Sequence, residues 1–74
     1  MTADESLRVA WAFLDQYIAR GADADVRDLR LRLAGDQDTR ARYLARLPSD
    51  SPNALEAFDA LHELFDEEWR RAGS

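Results

Sequence analysis

The sequence has no cysteine and a single histidine among its 74 residues. The absence of cysteine excludes disulfide bonds, thiolate nucleophiles and cysteine-based zinc sites. The one histidine, His62, cannot by itself complete an ordinary structural zinc site. Lysine is also absent, so arginine supplies all ten basic residues, and only three glycines are present. So few glycines cannot build a phosphate-binding loop as well as helix caps, and we therefore expect neither a metal nor a cofactor.

Long hydrophobic runs are missing as well. No apolar stretch approaches the roughly 20 residues that a transmembrane helix needs, and the charged start of the chain does not resemble a signal peptide. With 46% hydrophobic and 34% charged residues, the composition is that of a globular protein rather than a disordered tail. The sequence predicts one small cytoplasmic domain over residues 1–74, without a membrane partner.

Apolar residues recur at helical spacing in four segments, and no segment shows the alternation of a β-strand. Thr2 and Glu5 form a capping-box pair before the first segment. Gly21, Gly35 and Pro48 end the first three segments, because glycine and proline interrupt a helix. The predicted fold is all-α, a compact bundle of three to four amphipathic helices. These helices are expected at about residues 3–20, 24–34, 37–47 and 52–71.

The fourth segment has the clearest predicted start. Ser51 can cap the helix, and Pro52 then occupies the first helical position, where its missing N–H costs nothing. His62 is expected to be a hydrogen-bonded histidine in or at the rim of the core. Leu31 and Leu64 are expected to point away from the cores of their helices. Five large side chains share one face and are expected to face the core: Leu55, Phe58, Leu61, Phe65 and Trp69.

Charge is distributed unevenly along the chain, although the net charge is only -5. Residues 26–47 carry six arginines against three aspartates, whereas residues 48–74 carry seven acidic residues against two arginines. Such an acidic segment is either a solvated helix face or a surface that steers a basic partner toward it. Five of its carboxylates follow three- and four-residue steps and are predicted to form one stripe: Glu56, Asp59, Glu63, Asp66 and Glu67.

No constellation of residues in the sequence supports catalysis. Carboxylates on one exposed helix face lack the pocket that acid–base chemistry requires, and no nucleophile stands in a glycine-rich elbow. We predict that the protein is not an enzyme. The two helices joined at Gly35 have the outline of a helix-turn-helix, but Arg30 and Asp36 stand where that motif buries apolar side chains. The acidic net charge also argues against direct nucleic-acid binding.

Large apolar side chains are numerous for a chain of this length, especially in the first helix. There, Val9, Phe13 and Tyr17 form a second stripe beside the main apolar face. The stripe either belongs to a core that surrounds the helix or forms a patch for a partner helix or a second subunit. We predict an interface that combines this stripe with the acidic face. Its predicted partner-binding residues are Val9, Phe13, Tyr17, Glu56, Asp59, Glu63, Asp66 and Glu67.

Part of the chain, about residues 7–47, resembles the cytoplasmic N-terminal domains of anti-sigma factors. In that family a helix ends in a Leu-Ala-x-Asp turn, and the next helix contains Arg-Ala. The matching residues here are Leu33-Ala34-Gly35-Asp36, Arg40-Ala41 and Tyr43, with Trp11-Ala12-Phe13-Leu14-Asp15 similar to the family's first helix. The His/Cys zinc motif of one large branch is missing, so the resemblance is to zinc-less members. It implies that the apolar faces of helices 1 and 4 clamp the promoter-binding region of a sigma factor.

Together these patterns predict a small, acidic, non-enzymatic protein–protein interaction module of bacterial or phage type. It would act as an inhibitor or regulator by binding a partner with a basic patch, and an anti-sigma-like regulator is one form. An alternative is an immunity protein, antitoxin or phage-encoded inhibitor that masks a nucleic-acid-binding surface. Another is a structural helical subunit that self-associates, for example as a homodimer. A basic partner released by salt would favour an inhibitor, whereas self-association would make the mass depend on concentration.

Overall fold

Four α-helices follow one another in the computed structural model, which describes residues 1–72. They are α1 (Ala3–Ala19), α2 (Ala24–Gly35), α3 (Gln37–Leu44) and α4 (Ala54–Ala72), and no strand occurs within the described residues. The predicted all-α bundle is confirmed. The third helix is shorter than the predicted 37–47, because the chain continues as a turn after Leu44. The last two residues of the predicted domain 1–74 lie outside the described part of the chain.

The start and end of α1 follow from local chemistry, as predicted. The hydroxyl of Thr2 accepts a hydrogen bond from the Glu5 N–H at 3.1 Å, and the Glu5 carboxylate accepts one from the Thr2 N–H at 3.0 Å. These bonds with Thr2 lower the pKa of Glu5. After α1, Gly21 adopts a φ of 92°, a left-handed conformation that costs glycine little. The chain can therefore turn sharply toward α2.

The predicted start of α4 at Ser51 and Pro52 was wrong, because the helix begins at Ala54. Asn53 caps it instead. The Asn53 side-chain oxygen accepts from the Glu56 N–H at 2.8 Å, and the Glu56 carboxylate accepts from the Asn53 N–H at 3.0 Å. This reciprocal pair satisfies two donors that would otherwise be free at the helix start. The Glu56 carboxylate therefore already has a hydrogen-bond partner in this cap.

The core forms where α1 meets the other three helices. Leu64 was expected to point outward, but it is fully buried because α4 packs against both α1 and α3. Leu31 is 72% exposed, which confirms its expected outward direction. The buried cluster consists of Leu7, Ala10, Leu14, Val26, Leu29, Leu33, Tyr43, Ala60, Leu61 and Leu64.

A group of polar atoms lies inside this core, where α1, α3 and α4 meet. Tyr43 of α3 is fully buried, and its hydroxyl lies 2.6 Å from the Ser6 hydroxyl of α1. The same oxygen lies 3.2 Å from the Ser6 carbonyl and 3.3 Å from the Ala57 carbonyl of α4, either of which can accept its proton. Burial raises the pKa of Tyr43, although the bond with Ser6 opposes the shift. One side chain thus fixes three helices relative to one another.

A cluster of ion pairs, here called the ion cluster, joins α2 and α3 to the second half of α4. Glu68 accepts a hydrogen bond from Arg32 at 3.0 Å and another from Arg42. Glu67 lies 3.6 Å from Arg42 and pairs with Arg46. Only 15% of the Glu68 side chain is exposed. Burial acts to raise the pKa of Glu68, but the hydrogen bonds and charges of the two arginines outweigh it, so that the pKa is lowered.

Candidate functional site

The arginines of residues 26–47 are largely neutralised within the fold. Arg30 pairs with Asp15 at 2.9 Å and also lies over the Trp11 ring, 5.4 Å from its centroid. Three further arginines, namely Arg32, Arg42 and Arg46, form the basic half of the ion cluster. Four of the six arginines in residues 26–47 are therefore engaged by carboxylates of the same chain.

The predicted acidic stripe on α4 is divided by the fold into two groups. Glu56 caps the helix and Glu67 belongs to the ion cluster, so both carboxylates have internal partners. Asp59, Glu63 and Asp66 are exposed, and none of the three has an ion-pair partner among residues 1–72. These three residues, here called the acidic edge, are the part of the stripe that an outside partner can reach.

A row of large side chains runs along α4 beside the acidic edge. The row, here called the outer strip, consists of Leu55, Phe58, His62, Phe65 and Trp69. Leu55 is 67% exposed and Trp69 is 56% exposed, so the expectation that these two side chains belong to the core was wrong. His62 is exposed, and the two phenylalanines are half-buried. The outer strip is therefore a surface feature, and none of its residues was among the predicted partner-binding residues.

The inner face of α4 explains why the outer strip remains outside. That face is lined by small and branched side chains, namely Ala57, Ala60, Leu61 and Leu64, all of which are buried. The alanines allow neighbouring helices to approach α4 closely, so the face that carries them turns inward. The larger rings then lie on the flank of the helix. Two alanines three residues apart were the signal in the sequence that could have identified the inner face.

Two of the three residues in the predicted stripe on α1, Phe13 and Tyr17, lie against the outer strip. Val9, Phe13 and Tyr17 are all half-buried. The rings of Phe13 and Phe58 meet edge to face, with centroids 5.0 Å apart. The Tyr17 hydroxyl lies 3.2 Å from Nε2 of His62. The structure therefore brings Phe13 and Tyr17 together with α4 in one partly exposed aromatic surface.

We expect Phe13→Ala to lower the free energy of unfolding by about 1.5–3 kcal/mol. This is less than the roughly 3–5 kcal/mol lost when a fully buried phenylalanine is truncated, because Phe13 keeps part of its surface in water. Urea denaturation followed by circular dichroism measures the loss. The control is Leu31→Ala, which removes an exposed side chain and should cost under about 0.5 kcal/mol. Equal losses in the two variants would mean that the Phe13–Phe58 contact does not stabilise the fold.

Two clefts lie on either side of Phe65, near the line where α2 faces α4. These are the two helices that pack least against one another. The smaller cleft has a volume of about 230 Å³ and is mainly apolar, with Val26 and Leu61 in its lining. The larger, of about 450 Å³, combines Leu29 and Trp69 with a charged rim. Both clefts are open to solvent and can accept side chains from another molecule.

Neither a metal site nor a membrane-spanning helix occurs within residues 1–72. No group of three or more His, Asp or Glu side chains there is placed to hold a metal ion. None of the described helices combines the length and apolar composition needed to cross a lipid bilayer. Comparison of this chain with protein-family models, with curated proteins and with solved structures finds no match. The α4 surface is therefore the candidate functional site.

Proposed function

We propose that this protein is a non-enzymatic binding module that inhibits or regulates a basic protein partner by covering part of the partner's surface. The segregation of charge carries the proposal. The arginines of the ion cluster and Arg30 pair with carboxylates of the same chain, while the acidic edge is exposed and has no ion-pair partner among residues 1–72. Exposed apolar side chains lie directly beside it. Apolar anchors supply affinity, and the carboxylates select a basic surface and speed the encounter.

The same surface supports an anti-sigma-like form of this activity. Phe13 and Tyr17 of α1 contact Phe58 and His62 of α4, so the two helices contribute to one surface, as the resemblance implies. A partner surface that binds nucleic acid is basic, and an acidic protein seated on it competes with phosphate groups. An immunity protein, antitoxin or phage-encoded inhibitor would use the same chemistry, and the partner's identity distinguishes these forms.

The proposal predicts that reversing charge on the acidic edge abolishes binding. The test variant is Asp59→Lys with Glu63→Lys, and the control is Asp4→Lys with Asp50→Lys. The control changes the net charge equally at exposed residues that belong to neither the outer strip nor the acidic edge. We expect affinity for the partner to fall on the order of 100-fold at low salt in the test variant. In the control it should fall much less.

The measurement is affinity capture at low salt from a lysate of the source organism, with stepwise salt elution and mass spectrometry. The captured protein is then purified, and its Kd is measured for all three chains. Circular dichroism checks that each variant keeps its helical content. Equal binding by the test variant and the wild type, or specific capture of only acidic proteins, would contradict the proposed function.

A further inference from the structure

We infer that the outer strip receives a single amphipathic helix of the partner, with lysine or arginine along one edge of that helix. The inference rests on the proposed function and names the structural element that is bound. The outer-strip residues follow steps of three, four, three and four along α4. This is the spacing by which one helix packs along another. The inner face, with Ala57, Leu61 and Leu64, already serves the protein's own core.

The dimensions of the surface suit a helix of about four turns. Leu55 and Trp69 are fourteen residues apart, which corresponds to about 21 Å along α4. The longest dimension of the described chain is 31 Å. The clefts beside Phe65 provide space for apolar side chains of the bound helix, and the smaller cleft is also lined by Tyr17. The two exposed ends of the strip and the smaller, mainly apolar cleft between them thus form one elongated surface.

The position of the acidic edge defines the charge of the bound helix. Asp59 directly follows Phe58, and Asp66 directly follows Phe65. In paired helices, residues at such flanking positions face the flanking residues of the partner helix. Both carboxylates are exposed and lack an ion-pair partner within residues 1–72. Lysine or arginine on the facing edge of the ligand would neutralise them.

The same charges disfavour a second copy of this chain as the occupant. A two-fold interface places identical patches against each other. An antiparallel pair of α4 helices would therefore bring Asp59 of one copy near Asp66 of the other. Like charges across an interface oppose association. A basic helix avoids this repulsion and also gains the opposite-charge contacts.

The test uses three synthetic peptides of about 20 residues, long enough to cover the strip when helical. The first has apolar residues at three- and four-residue spacing with lysine and arginine on the flanking edge. The second has the same apolar residues with glutamate on that edge. The third has the composition of the first with the apolar spacing scrambled. Fluorescence anisotropy with the full chain should give at least about ten-fold weaker binding for the second and third peptides than for the first.

Variants of the chain locate the bound peptide. Leu55→Ala and Trp69→Ala remove exposed side chains of the outer strip, whereas Leu31→Ala removes an equally exposed leucine on α2. We expect Trp69→Ala to weaken binding of the first peptide by about 30-fold and Leu55→Ala by about 5-fold. Leu31→Ala should have no effect, and melting curves confirm that all three variants fold.

Each other outcome overturns a defined part of the account. Equal binding of the first and third peptides would show that charge alone acts, so the helix inference fails while the proposed function stands. Equal binding of the first and second peptides would contradict the proposed role of the acidic edge. If the unbound chain sediments as a dimer that Trp69→Ala dissociates, a second copy covers the strip and the inference is wrong.

Discussion

Replacing Tyr43 by alanine is expected to remove a large share of the protein's stability at 25 °C. A domain of this size has a free energy of unfolding on the order of 4–11 kcal/mol. Truncation of a fully buried aromatic side chain costs about 3–5 kcal/mol. Tyr43 is fully buried, and its hydroxyl contacts Ser6 and the Ala57 carbonyl on two other helices. Urea denaturation followed by circular dichroism should show the free energy of unfolding lowered by about 3–5 kcal/mol.

Tyr43→Phe distinguishes the contribution of the hydroxyl to stability from that of the ring. The ring still fills the core, but the buried polar atoms of Ser6 lose a partner, at a cost of about 1–3 kcal/mol. Ser6→Ala removes the facing hydroxyl, and the double variant then gives the coupling between the two groups. We expect that coupling to be about 0.5–1.5 kcal/mol. A coupling of zero would mean that the hydroxyl–hydroxyl contact contributes nothing to stability.

The second large effect is expected at Glu68. Glu68→Gln keeps the shape of the side chain but removes the charge that Arg32 and Arg42 share. Without that charge, Arg32 keeps only one ion pair among residues 1–72, with the exposed Asp28 at 3.0 Å. Arg42 keeps the longer contacts with Glu67 and Asp38, at 3.6 and 3.8 Å. The positive charge of this mostly buried site is then less well compensated. Because these arginines retain some exposure, we expect a loss of about 2–3 kcal/mol at pH 7, less than for a fully buried pair. Glu63→Gln, at an exposed residue that has no ion-pair partner within residues 1–72, is the control and should be nearly neutral.

The ion cluster also makes stability depend on pH. Burial opposes ionisation of Glu68, but the arginines outweigh it, so its pKa is lower in the folded than in the unfolded chain. Its contribution is therefore fully present above the unfolded pKa of about 4.3 and is lost as pH falls through the lower folded value. The free energy of unfolding of Glu68→Gln should fall less steeply below about pH 5 than that of the wild type. Parallel pH profiles would contradict this assignment.

Features determined by neighbouring residues could be predicted from the sequence. The Thr2–Glu5 cap depends on residues three apart and was confirmed, as was the turn at Gly21. The predicted start of α4 was wrong, although the residues that determine it are also close together in the sequence. Asn53 and Glu56 have the spacing of a reciprocal cap. Ser51 was predicted as the cap instead, because proline is common at the first helical position and Pro52 follows Ser51. Where two neighbouring residues can cap a helix, the residue three positions after each must also be considered, because its side chain completes a reciprocal cap.

Features that join distant segments could not be predicted in this way. Tyr43 meets Ser6 and Ala57 only because α1, α3 and α4 converge, and no spacing within α3 indicates this. The ion cluster joins Arg42 to Glu68 across 26 residues. Pairing rules within a single helix cannot identify such contacts. The sequence showed the separation of charge but not how much of it the fold neutralises.

The candidate surface could be predicted from the sequence only in part. Exposure of Asp59, Glu63 and Asp66 follows from their common helix face and was expected. The outer strip was missed because α4 carries two adjacent apolar faces, and periodicity alone does not decide which one is buried. Packing decides it, since α4 contacts α1 and α3 through its alanines and branched side chains. The aromatic residues then remain available to a partner.

The proposed function, with the inferred helical ligand, requires that α4 present an apolar strip with an acidic edge to a basic helix. An NMR titration of the ¹⁵N-labelled chain with the basic amphipathic peptide tests it most directly, at low and at high salt. We predict chemical-shift changes concentrated between Leu55 and Trp69 and at Phe13 and Tyr17, and weaker binding as salt rises. Changes confined to the arginine-bearing faces of α2 and α3, or no changes at low salt, would contradict the account.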